Sequence, residues 1–315
     1  MPVSFKQLRY FTALAEAGSF AAAAEEMHVT QPALSLQIKA LEQDLGARLV
    51  DRLPRGVRLT NAGQDVLDRA QRILGEVTDL EHAVRHRDGL AGRLQLGVIP
   101  TVAPYLLPRV LTRLRALDLT LDIRVREAQT AVLLQALTGG RLDAVVMALP
   151  VSDPGLSVIP LFEDAFFLCG SQAALSDVAD GSLAAPDLDT DRLLLLDEGH
   201  CLADQALDVC GLRDRVRMDL GASSLATLSG LVAQGFGMTF LPEIAADAER
   251  RAQPNLALRR FSAPEPSRTI ALVTRSGATE SQWVTDLAKL LKEAGETLLS
   301  VADERAEMDI SLTSP

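Results

Sequence analysis

Apolar residues recur every third position at Phe5, Leu8, Phe11 and Leu14, which predicts a helix with one buried face. Gly18 suits its end, and Ser19 suits the cap of a second, alanine-rich helix from Phe20 to Met27. His28-Val29 reads as a tight turn. Thr30 then caps a third helix with Pro32 in its first turn, and Leu34, Ile38, Leu41 and Leu45 are expected to face the core. Gln31, Ser35 and Lys39 share another face at i, i+4 and i+8, and Leu36 points away from the core. Pro54 and Gly56 mark a turn between two short extended arms. Thr60 caps a long helix from Asn61 to about His86. Its Val66, Ala70, Ile73, Val77, Leu80 and Val84 form a coiled-coil seam, which predicts a dimer because one helix alone would leave the seam wet.

The pattern changes after Gly89-Leu-Ala-Gly92, a short flexible joint. Leu94, Leu96 and Val98 alternate as a strand, a helix follows over 102–116, and 119–125 alternates again. Residues 131–137 read as helix, Gly139-Gly140 stops it, and 142–149 is a buried strand. This βαβαβ order predicts a parallel α/β sheet. Further short strands are expected at 157–161, 165–169, 192–196, 216–220, 238–241 and 269–273, with helices at 223–233 and 282–299. Residues 301–315 are polar and acidic and read as a frayed, flexible tail.

A hydrophobic fraction of 48% is enough for sizeable cores and too much for a disordered chain, while 4% aromatics argues against base-stacking platforms. The net charge of -11 argues against a generally basic nucleic-acid coat. Its distribution matters more: residues 1–90 hold 11 basic and 12 acidic side chains, and residues 91–315 hold 20 and 30. Any DNA contact must therefore come from a local basic patch near the N-terminus. Three cysteines do not make a secreted disulfide scaffold, the N-terminus lacks a signal-peptide core, and no apolar run approaches the ~20 residues of a membrane span. These features predict a cytoplasmic chain with no membrane association.

The third helix carries the hydroxyl, amide and ammonium groups that meet base edges and phosphates. Arg48, Arg52, Arg55 and Arg58 lie in the arms just beyond it, which favours a wing gripping phosphates. Gln31, Pro32, Ser35, Lys39, Arg52, Arg55 and Arg58 are the candidate DNA-binding residues, and the partner is double-stranded DNA with paired half-sites. Gly235-Phe-Gly237 follows a helix and precedes a strand, the wrong order for a dinucleotide loop. There is no P-loop, no G-x-S-x-G and no H-E-x-x-H, so neither a conventional enzyme nor a cofactor is expected.

Leu8-Arg9-Tyr10-Phe11, Gly18-Ser19-Phe20, Gln31-Pro32-Ala33-Leu34-Ser35 and Leu59-Thr60-Asn61-Ala62-Gly63 together resemble the LysR-type transcriptional regulators. Val50-Asp51 departs from the Phe-Glu usual there. The resemblance implies an all-α winged helix-turn-helix over 1–60, a linker and dimerisation helix over 61–88 and a hinge at 89–92. A C-terminal α/β regulatory domain would then span 93–300. It would fold as two periplasmic-binding-protein-like subdomains, about 93–163 with 267–300, and about 164–266, with a ligand cleft between them. The resemblance also implies a tetramer and contact with RNA polymerase.

The stretch Gly199-His200-Cys201 through Asp204 to Cys210 resembles the peroxide-sensing OxyR branch of that family, as do Gly97-Val-Ile-Pro-Thr101 and Glu127-Ala-Gln-Thr130. The resemblance implies that Cys201 reacts with hydrogen peroxide and Cys210 resolves it. Thr101, Thr130, His200 and Asp204 would surround the peroxide or position Cys201. Independently, Gly199 precedes a stretch of helical character, so Cys201 falls near a helix N-terminus, which favours a thiolate. Nine helical steps would hold the two Cα atoms about 13.5 Å apart on opposite faces, whereas a disulfide needs them within about 7 Å. Oxidation would therefore have to melt that segment. A zinc site from His200, Cys201 and Cys210 is a poorer reading, lacking close ligand spacing and a fourth ligand. Cys169 ends an apolar strand and reads as a packing residue. A LysR-type regulator answering a small organic effector, a one-cysteine redox sensor and a thiol peroxidase stay open as alternatives. The N-terminal module speaks against the peroxidase.

Overall fold

The computed structural model describes residues 3–53, 56–85, 93–117, 121–176, 192–197, 202, 205, 207, 221–278 and 281–312. Residues 1–84 lie in one compact unit and most of the remainder in another.

The N-terminal unit is built from α1 (Phe5–Ala17), α2 (Phe20–Glu26), α3 (Gln31–Leu45), the antiparallel pair β1 (Val50–Leu53) and β2 (Gly56–Leu59), and α4 (Asn61–Arg85). Ser4 and Gln7 cap α1 reciprocally, and Ser19 and Thr30 cap α2 and α3 with their hydroxyls. Leu8, Phe11, Leu14, Phe20, Leu34, Ile38, Leu41 and Leu49 form the core, closed by Leu67 and Ala70 of α4. Each such side chain contributes about 1.5–3 kcal/mol of burial.

Two residues expected in that core are outside it. Phe5 is 57% exposed, because three residues advance a helix by only about 300° and the strict repeat puts Phe5 half a turn from Leu14. Leu45 is 41% exposed at the last turn of α3, where the chain leaves the packed region through Gly46. Leu36 is exposed, as its position predicts. Gly63 has a steric reason: a Cβ there would lie 2.0 Å from the Leu49 carbonyl oxygen. On the exposed part of α4, Ile73 and Leu80 are left uncovered within one chain.

The second unit starts with β3 (Arg93–Val98), α5 (Ala103–Leu117), β4 (Asp122–Glu127), α6 (Thr130–Thr138) and β5 (Ala144–Ala148). Strand β3 runs parallel to both β4 and β5, as the βαβαβ pattern predicts. The sheet as a whole is mixed, because β11 (Ser267–Arg275) returns antiparallel beside β5. The two strands predicted at 157–161 and 165–169 are one, β6 (Leu156–Ser171). Glu163 and Asp164 interrupt its apolar pattern, but both are met by partners on β11: Thr269 donates to Glu163 at 2.7 Å and Arg268 pairs with Asp164.

The first part of β6 pairs with β11, and the last part pairs with β9 (Met238–Pro242) and β10 (Leu256–Arg260). One strand thus serves two sheets. The second sheet carries its own core of Phe166, Leu168, Phe240, Leu228 and Val232, covered by α8 (Leu225–Ala233). A short α7 (Gln172–Ser176) and a separate two-stranded parallel pair, β7 (Leu195–Leu196) and β8 (Gly221–Ala222), pack into the same core. Helix α9 (Glu243–Ala252) and strand β10 are not foreshadowed by the apolar pattern. Helix α10 (Gln282–Leu312) continues through most of the segment read as a tail, since 301–312 is rich in good helix formers and free of proline and glycine. The strand predicted at 216–220 and the hinge at 89–92 lie outside the described residues. No described helix is long and apolar enough to cross a membrane.

Candidate functional site

In the N-terminal unit, Gln31, Pro32 and Lys39 are exposed on α3 and Ser35 is half-buried. The wing is tied to that helix. Arg52 donates to the Ser35 hydroxyl at 2.8 Å, and its guanidinium lies 4.5 Å from the Phe20 ring centroid. Glu42 accepts from the backbone N–H groups of Leu49 and Val50, fixing the exit from α3 into β1. Val57 donates to the Gly18 carbonyl at 2.9 Å, which seats β2 against the α1–α2 turn. Arg48 and Arg58 flank Asp51 at 4.0 and 3.7 Å. Such exposed pairs contribute at most about 1 kcal/mol, so both arginines can leave for phosphates at little cost. Arg55 lies outside the described residues.

In the second unit the register of the parallel strands is informative. Val98 of β3 is paired with Glu127 of β4 and with Val146 of β5. Thr101, Thr130 and Leu149 each lie three residues beyond those partners, so all three stand at the carboxyl edge of adjacent strands. That edge is where open α/β sheets place their ligands. Thr101 is buried and Thr130, the first residue of α6, is half-buried.

Gln205, four residues after Cys201 in the sequence, reaches the same edge. Gln205 donates from Nε2 to the Leu149 carbonyl at 2.7 Å. Leu202 is buried in the core of the second sheet, and Leu207 packs against it. Leu202, Gln205 and Leu207 are helical, in keeping with the helical character expected there. His200, Cys201, Asp204 and Cys210 themselves lie outside the described residues.

Sequence reasoning missed a buried polar cluster beside Thr101. Arg268 donates through Nε and Nη2 to one carboxylate oxygen of Asp164, at 3.0 and 2.9 Å. It also donates from Nη1 to the Thr101 hydroxyl at 2.9 Å and from Nη2 to the Thr101 carbonyl at 3.4 Å. The other Asp164 oxygen accepts from the Ile244 amide at 3.0 Å, in the first turn of α9. Burial pushes the Asp164 carboxyl up, against the opposing pull of Arg268 and of the α9 amides. The available signal was a carboxylate set among Phe162, Ala165 and Phe166, a place where an acid needs a partner.

Cys169 is buried in β6, and burial pushes its thiol well above the ordinary range. It is a packing residue, as expected. Among the described residues no cluster of His, Cys, Asp and Glu could hold a metal ion.

Residues 5–64 match the model of the bacterial regulatory helix-turn-helix protein, lysR family, and residues 87–296 match the LysR substrate binding domain. The chain belongs to the LysR family. This LysR chain is 44% identical over 296 residues to a probable hydrogen peroxide-inducible genes activator of Streptomyces viridosporus, covering 92% of this chain and 94% of that protein. A full-length OxyR variant from Pseudomonas aeruginosa superposes with a TM-score of 0.73 at 32% identity, covering 92% of this chain and 98% of the other. A Corynebacterium glutamicum OxyR mutant with hydrogen peroxide bound superposes with a TM-score of 0.66 at 34% identity, covering 97% of each chain. The family is one of DNA-binding regulators, and the LysR module spans the α3 face and the wing described above.

Proposed function

We propose that this chain is a cytoplasmic, hydrogen-peroxide-responsive transcription regulator rather than an enzyme, in which Cys201 is the reacting group. The observation that carries the reading is the Gln205–Leu149 hydrogen bond. It ties the segment that follows Cys201 to the carboxyl edge where Thr101 and Thr130 stand. Relatives and structural neighbours named for peroxide induction and OxyR support the same reading.

In this mechanism the Cys201 thiolate attacks one peroxide oxygen and the O–O bond breaks. The leaving hydroxide takes a proton and departs as water, and Cys201 becomes a sulfenic acid. Thr101, Thr130 and His200 orient the peroxide and supply that proton through hydrogen bonds, and Asp204 helps to position Cys201. The Cys210 thiolate then attacks the sulfenic sulfur, the S–O bond breaks, and the departing hydroxide takes up the proton that Cys210 released and leaves as a second water. Two thiols are oxidised to one disulfide, and one peroxide is reduced to two waters.

DNA is read by Gln31, Pro32, Ser35 and Lys39 in the major groove, with Arg52, Arg55 and Arg58 on the backbone. Residues 61–86 join two copies, two such pairs make a tetramer, and the oxidised form engages RNA polymerase.

The test is a titration of the reduced protein with slight excess peroxide, with cysteines mapped by mass spectrometry and operator affinity followed in parallel. A Cys201–Cys210 bond that forms as affinity changes is expected. Oxidation that stops at a Cys201 sulfenic acid would replace the disulfide with a one-cysteine sensor. Regulation retained by Cys201→Ser would replace peroxide with a small organic effector.

A further inference from the structure

The buried cluster behind Thr101 is built in a definite order. Asp164 is fully buried at the middle of β6, opposite Arg268 in the pairing with β11 and two residues before the pairing with β9 begins. One of its oxygens receives the Ile244 amide and so caps α9, whose N-cap residue, Pro242, makes no side-chain cap. Its other oxygen takes two donors from Arg268, which fixes the plane and direction of the guanidinium. Held in that way, Arg268 sends Nη1 to the Thr101 hydroxyl and Nη2 to the Thr101 carbonyl. A hydroxyl has one proton and two acceptor lone pairs. With Arg268 donating into one lone pair, the proton of Thr101 must point away from Arg268.

We propose that Asp164 is a positioning residue for the peroxide reaction: by fixing Arg268 it holds the Thr101 hydroxyl as a donor facing outward from the cluster, toward the carboxyl edge. This rests on the reading that Thr101 meets the peroxide. Asp164 touches neither peroxide nor Cys201. It acts through Arg268, and its carboxylate also anchors α9, so the sensing chemistry and the fold of the second sheet share one side chain. Asparagine at 164 keeps an acceptor for the Ile244 amide but cannot chelate a guanidinium with a charged oxygen. The Arg268 fork is then released from its fixed direction, and the Thr101 hydroxyl regains its rotational freedom.

The experiment compares the wild type with Asp164→Asn, Thr101→Val and the double variant in the full-length reduced protein. Two rates are read at Cys201 by quench and mass spectrometry, oxidation by hydrogen peroxide and alkylation by iodoacetamide, which needs no proton donor. Asp164→Asn is expected to slow oxidation about tenfold or more, to change alkylation less than twofold, and to add nothing further to Thr101→Val. Asp164→Glu, which restores the charge, is expected to recover part of the rate. Oxidation at the wild-type rate in Asp164→Asn while Thr101→Val is slow overturns the proposal and leaves the peroxide site intact. Thr101→Val at the wild-type rate overturns the site reading itself, and the proposal with it. Equal slowing of both reactions in Asp164→Asn overturns the proposal by assigning Asp164 to the fold alone. Where Asp164→Asn does not fold, Arg268→Lys decides: an ammonium on a flexible stem lacks the rigid planar fork that fixes the Thr101 hydroxyl in one direction, and unchanged selectivity for peroxide over iodoacetamide overturns the proposal.

Discussion

The Tyr105 hydroxyl donates to the Glu249 carboxylate at 2.7 Å, joining α5, beside the first sheet, to α9, beside the second. Tyr105 also packs against the core of the second sheet, and Glu249 is buried. Tyr105→Phe leaves that carboxylate without the phenol, and a loss of about 1–3 kcal/mol is expected in urea unfolding at neutral pH.

The same contact sets a pH dependence. Burial first, and then the bond to Glu249, pushes the Tyr105 phenol well above its ordinary value. Above about pH 10 the unfolded chain therefore releases a proton that the folded chain keeps. The stabilisation is full below that pH and falls as pH rises through it, with a limiting slope of about 1.4 kcal/mol per unit. Unfolding curves between pH 9 and 11 should show that the advantage of the wild type over Tyr105→Phe shrinks. A constant difference would count against the shift.

Arg52 joins the wing to Ser35 and to the Phe20 ring. Arg52→Ala should weaken binding to a selected operator fragment by roughly 5- to 150-fold at fixed salt, and should flatten the salt dependence by about one counterion if the contact is to phosphate. Fluorescence anisotropy at several salt concentrations reads both effects. Ser35→Ala removes the tether together with one hydroxyl of the reading face but leaves the Arg52 charge, so its salt dependence should stay that of the wild type.

Gly63→Ala forces a Cβ to 2.0 Å from the Leu49 carbonyl oxygen, a backbone atom that cannot rotate away. A destabilisation of about 1–3 kcal/mol or more is expected in thermal unfolding of the N-terminal unit. An alanine variant as stable as the wild type would mean that α4 enters differently from the geometry described.

Cys169 should resist iodoacetamide in the folded, reduced protein and react once urea exposes it. Labelling of Cys169 at the rate of an exposed thiol under native conditions would refute its role as a packing residue.

What could be read in advance follows from where the forces act. Helices α1 to α4 announce themselves because caps and apolar spacing are local, as at Ser19, Thr30, Leu34 and Ile38. The parallel β3–α5–β4–α6–β5 run is equally local in its alternation. Strand β6 reads as two strands in the sequence because its charged pair is satisfied by Arg268 and Thr269, more than a hundred residues away. Helix α9 was invisible for a related reason: its N-terminal support comes from Asp164, not from its own neighbours. At the site, family resemblance points to Thr101 and Thr130, whereas their common edge follows from strand register. Arg268 and Asp164 lie far from both threonines along the chain, and only the fold brings the cluster to Thr101.

The bond from Gln205 to Leu149 ends on a main-chain oxygen. The receiving position therefore offers the same acceptor whatever its side chain, so a substitution at 205 removes a bonding atom and one at 149 does not. Coupled exchanges between the two positions have no reason to arise in related sequences, so a survey of co-varying pairs would pass over this bond. Drift at 149 can proceed without breaking it.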